Sequence, residues 1–79
     1  MEQEKIKAYY QIWSEAWKLF RKWALDFQDD DSFWQRAVKE AGEFSAQYKD
    51  TEFARFANRI MIDILEELET KALGKRGKE

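Results

Sequence analysis

An all-α fold, a three-helix bundle running up, down, up, follows from three observations on this sequence. The chain of 79 residues has no proline and only three glycines, and two of those, Gly74 and Gly77, lie near its C-terminal end. A chain so poor in turn formers cannot build the tight hairpins of a β fold. Apolar residues recur at spacings of three and four in three separate segments, the period of one helix face. Short polar breaks carrying capping signals separate the segments.

The first helix is expected over residues 2–27. Ile6, Tyr9, Trp13, Ala16, Phe20, Trp23 and Phe27 trace its core line. Tyr10, Trp17 and Ala24 widen the stripe on one side, and Ile12 and Leu19 widen it on the other. The apolar sector then covers about half the helix circumference. The second helix is expected over residues 32–48, with Trp34, Ala37, Ala41, Phe44 and Tyr48 inward. Ser32 and Gln35 read as a capping box, and Asp30 or Asp31 offers a competing N-cap. Gly42 inside this helix costs about 1 kcal/mol relative to alanine and would allow an aromatic ring to approach closely. The third helix is expected over residues 52–73 behind an N-cap at Asp50 or Thr51. Phe53, Phe56, Ala57, Ile60, Met61, Ile64, Leu65 and Leu68 form its apolar face, Arg59 and Asp63 stand four apart for an ion pair, and Gly74 is its natural stop. Ile62 falls off the apolar face. One bundle domain over residues 1–74 and a flexible basic tail over residues 75–79 complete the plan.

Composition excludes most chemistry. The sequence holds no histidine and no cysteine. Serine–histidine and cysteine–histidine nucleophiles, disulfides and thiolate metal sites are therefore out of reach. No glycine-rich phosphate loop is present. The carboxylates Glu40 and Glu43, and Asp63, Glu66 and Glu67, read as solvated helix faces. The run Asp29, Asp30, Asp31, Ser32 lacks the spaced ligands and the glycine of a calcium loop and reads as a helix cap. The expectation is a non-enzymatic protein with no cofactor and no metal. The N-terminal MEQEKIKAYY lacks the apolar run of a signal peptide, and no window approaches the roughly 20 apolar residues of a membrane span. A cytoplasmic location fits this pattern.

The anomaly is the aromatic load. The chain has four tryptophans, three tyrosines and six phenylalanines, and helix one carries Tyr9, Tyr10, Trp13, Trp17, Phe20, Trp23 and Phe27. Core filling accounts for most of them, since each ring buries about 150–250 Å². The stripe is nevertheless too broad for two neighbouring helices to cover. Ile12, Leu19 and one or two of Trp13, Trp17 and Trp23 are expected at the surface. Ile12, Trp13, Trp17 and Leu19 are thus the candidate interface residues, to be covered by a protein partner or a second copy. The alternative is a small nucleic-acid-associated regulator using Lys18, Arg21 and Lys22 on helix one with Lys75, Arg76 and Lys78 of the tail. A net charge of −2 disfavours it. Membrane-surface binding is disfavoured by Glu4 and Glu15 among the lysines.

The stretches EKIKAYYQIWSEAWKLFRKW and DDSFWQRAVKEAGEF resemble short uncharacterised helical proteins of bacterial mobile elements. The resemblance covers roughly the first half of the chain. It contains no functional motif, so it assigns no site residue and implies only an accessory or regulatory role.

Overall fold

The computed structural model describes residues 2–77, with side chains described as far as Ala72. It is an all-α three-helix fold: α1 (Gln3–Leu25), α2 (Asp31–Ala46) and α3 (Ala54–Gly77). α3 is shared, with α1 on one flank and α2 on the other. The bundle measures 48 × 20 × 18 Å with a radius of gyration of 14.1 Å, against about 11.6 Å for an equidimensional domain of this length. Such a rod exposes more surface than a globule. The accessible area is 6023 Å², where about 5,000 Å² is usual for the mass.

Local chemistry sets the ends of the helices. Asp30 caps α2, its Oδ1 accepting from the Phe33 amide at 2.8 Å. This displaces the Ser32–Gln35 capping box by two residues and starts α2 at Asp31. Thr51 caps the approach to α3, where its hydroxyl donates to the Tyr48 carbonyl at 2.6 Å and accepts from the Phe53 amide at 3.1 Å. Asp50 turns the chain with φ at 65°, a left-handed conformation that aspartate tolerates better than most side chains. α3 does not stop at Gly74 but continues to Gly77. A glycine inside a helix costs only about 1 kcal/mol, too little by itself to end one. The backbone of residues 75–77 is therefore helical, whereas the tail side chains Lys75, Arg76 and Lys78 lie outside the described residues.

The core joins Ile12, Ala16 and Trp23 of α1, Phe33, Ala37, Ala41 and Phe44 of α2, and Ala57, Ile60, Met61 and Leu68 of α3. Aromatic rings close both ends. Tyr9 meets Phe53 and Phe56 edge-on, with centroids 5.1 and 4.9 Å apart. At the other end Phe27 meets Phe33 at 5.0 Å and Trp34 at 5.8 Å.

Four expectations are corrected by the structure. Ile12 is 0% exposed, so it is a core residue and no interface anchor. The centre of the buried arc is Ile12, Ala16 and Trp23; Ile6, expected inward, is exposed. Gly42 faces open space, with nothing within 4 Å of a Cβ placed there, so no ring packs on it. On α3 the four-apart ion pair is Glu67–Lys71 at 3.2 Å; among the described residues Arg59 and Asp63 form none. Acid placed N-terminal to base is the favoured order at this spacing, and Arg59–Asp63 has the reverse.

Candidate functional site

The rotation of α1 about its axis decides what it presents. A buried tryptophan must find an acceptor for its indole N–H. Trp23 is 3% exposed, and its Nε1 donates to Glu40 Oε1 of α2 at 2.7 Å. The second oxygen of Glu40 accepts from Lys22 Nζ at 2.8 Å. These two donors, Lys22 first and then Trp23, hold the Glu40 carboxyl below its ordinary range, because both favour the charged form. The clamp ties α1 to α2 and fixes Trp23, Ala16 and Ile12 inward.

With that arc inward, other apolar residues of α1 turn outward. Trp13 is 57% and Trp17 58% exposed, Tyr10 is 73% exposed, and Ile6 is also on the surface. At 100° per residue Trp13 and Trp17 lie about 100° and 140° around the helix from Ile12. Trp13 leans on Phe56 of α3 (centroids 5.7 Å apart) and Trp17 on Phe20 (6.0 Å). These contacts hold the rings in place while leaving one face of each to solvent. Beside them runs a groove of about 310 Å³ between α1 and α3, lined by Trp13, Ala16, Trp17, Phe20, Asp63, Ile64 and Glu67. A second hollow, of about 520 Å³, continues it past Phe20, Ala24, Phe27 and Leu68. The two share Phe20 and Glu67, so one apolar channel follows most of the α1–α3 seam. The exposed parts of Ile6, Tyr10, Trp13 and Trp17 together give about 500 Å² of apolar surface, at the upper end of what a monomer shows.

The four interface candidates therefore divide. Trp13 and Trp17 stand together on the exposed face. Ile12 is in the core. Leu19 is half-buried against the core and lines a different groove, between α1 and α2. Sequence periodicity missed Ile6 and Tyr10 as members of the patch. The signal available was the heptad spacing, since Ile6 and Tyr10 stand seven residues before Trp13 and Trp17 respectively.

Of the basic residues, Lys18 and Lys22 line the α1–α2 groove beside Glu15, Glu40 and Glu43. That surface is mixed in sign. Arg21 is exposed on the far side of the aromatic stripe. The aspartates between α1 and α2 serve structure: Asp26 faces Arg36 at 3.9 Å, Asp29 accepts from the Trp34 indole at 3.2 Å, and Asp30 caps α2. Among the described residues no three metal-ligating side chains converge, and no helix is long and apolar enough to cross a membrane. No protein-family model, no curated protein and no solved structure matches this chain.

Proposed function

We propose that this chain is a non-enzymatic protein-interaction module that works by presenting the α1 face Ile6, Tyr10, Trp13 and Trp17, with the adjoining α1–α3 groove, to another protein surface. The observation that carries the reading is the side-by-side exposure of Trp13 and Trp17 above an apolar groove. Tryptophan and tyrosine dominate the energetics of protein interfaces, and their entropy cost on binding is small for the area they cover. Rings already buttressed by Phe56 and Phe20 lose still less freedom when covered. The nucleic-acid alternative has no comparable support, since acidic side chains interleave with Lys18 and Lys22.

Site-specific photocrosslinking in living cells tests the reading. Tyr10 replaced by p-benzoylphenylalanine is expected to give protein adducts of discrete mass. The same photoprobe at Glu69, exposed on α3, is the control. No adduct from position 10, or the same adducts from both positions, refutes the assignment.

A further inference from the structure

α1 carries a second apolar seam that the bundle leaves largely uncovered, with Phe20 half-buried against the core. Ile6, Tyr10, Trp13, Trp17, Phe20 and Ala24 follow one another at spacings of four, three, four, three and four. This is the a/d repeat of a coiled coil, with Tyr10, Trp17 and Ala24 at a and Ile6, Trp13 and Phe20 at d. Such a seam is matched by another helix carrying the same repeat. On that basis, and resting on the interaction face proposed above, we infer that the occupant is a second copy of this chain, its α1 running parallel to the first about a two-fold axis along the seam.

Charge placement selects the parallel arrangement. The residues flanking the seam away from α3 are Lys7, Ser14 and Arg21, the e positions. On the α3 side the flank is Asp63 and Glu67, which line the groove with Ala16. A parallel pair brings each e position to the g position five residues before it on the other helix, so Arg21 of one copy reaches the level of Ala16 of the other. The acid there is Asp63. Among the described residues neither Arg21 nor Asp63 has an ion-pair partner within the chain. An antiparallel pair instead sets Lys7 and Arg21 against the same basic flank of the second copy and leaves Asp63 unmet. The area is adequate too. The apolar patch of about 500 Å², with the groove beside it, approaches the roughly 800 Å² per partner of a stable interface.

Sedimentation equilibrium on the full chain, with its charge-reversal variants, tests the inference. The wild type is expected to sediment at twice the chain mass at micromolar concentration. Arg21→Glu and Asp63→Arg should each weaken dimerisation at least tenfold, and the doubly reversed chain should recover to within threefold of wild type. All three positions concerned, these two and Ala24, are exposed, and far-UV circular dichroism verifies that each variant is folded. Because the chain has no cysteine, Ala24→Cys provides a register test: a parallel pair sets position 24 against its own copy, so mild oxidation should give a covalent dimer. A monomer at 100 μM, a dimer indifferent to both charge reversals, or a dimer that Ala24→Cys cannot link overturns the inference. A monomer that still yields discrete heterologous adducts from position 10 overturns the second copy alone and leaves the interaction face standing.

Discussion

Removing the Glu40 carboxylate isolates the polar contact that ties α1 to α2. In Glu40→Ala the Trp23 indole N–H loses its acceptor at 2.7 Å. Trp23 is only 3% exposed, and a buried donor left unpaired costs about 1–3 kcal/mol. The Lys22 contribution is smaller, because that side chain is 55% exposed and surface ion pairs give at most about 1 kcal/mol. The expected loss is about 2 kcal/mol, a fall in Tm of about 8–16 °C for a domain of this size. Urea unfolding followed by circular dichroism measures it. Lys22→Ala serves as the comparison and should cost under about 1 kcal/mol. A double-mutant cycle with Trp23→Phe, which keeps a ring and removes the N–H, should give a coupling above about 1 kcal/mol. The reasoning fails if Glu40→Ala lies within about 0.5 kcal/mol of wild type, or if Lys22→Ala costs as much as Glu40→Ala.

Two further outcomes follow from the same geometry and from α2. The Glu40 carboxyl is held below its ordinary value of 4.5, by Lys22 first and then by Trp23. Its stabilising contribution is therefore complete above that value and is lost as pH falls through the depressed folded-state value. The stability gap between wild type and Glu40→Gln should accordingly narrow as urea titrations move from pH 6 to pH 3, and a gap independent of pH contradicts the clamp. Gly42→Ala should stabilise the chain by about 0.5–1 kcal/mol, because its Cβ would meet nothing within 4 Å; a lowered Tm would mean that the position is crowded.

The element plan was legible because it depends on local chemistry: three segments of helical period, an aspartate cap before Phe33, and a threonine at the turn into α3. The side of α1 that faces the core was not. Its apolar arc spans about half the circumference, so periodicity alone admits several rotations. The rotation observed packs Ile12, Ala16 and Trp23 into the core and lets Glu40, a residue of another helix, accept the Trp23 indole. A long-range polar contact of this kind leaves no trace in spacing. The same ambiguity put Ile12 among the surface candidates and Ile6 and Tyr10 outside them, whereas Trp13 and Trp17 fall on the exposed side. The end of α3 is illegible for a different reason: a single glycine such as Gly74 lowers helix propensity too little to stop a helix, and α3 runs on to Gly77.

The groove beneath Trp13 and Trp17 has one wall from each of two helices that lie at opposite ends of the sequence, Ala16 and Phe20 from α1, and Asp63 and Ile64 from α3. An isolated α1 peptide would carry every tryptophan of the patch and still lack half of the surface. Anything that reads both walls therefore distinguishes the assembled bundle from a fragment, a nascent chain or an unfolded one. A partner binding across both walls would carry its own check on the integrity of the fold, because the two walls coexist only when α1 and α3 have found each other.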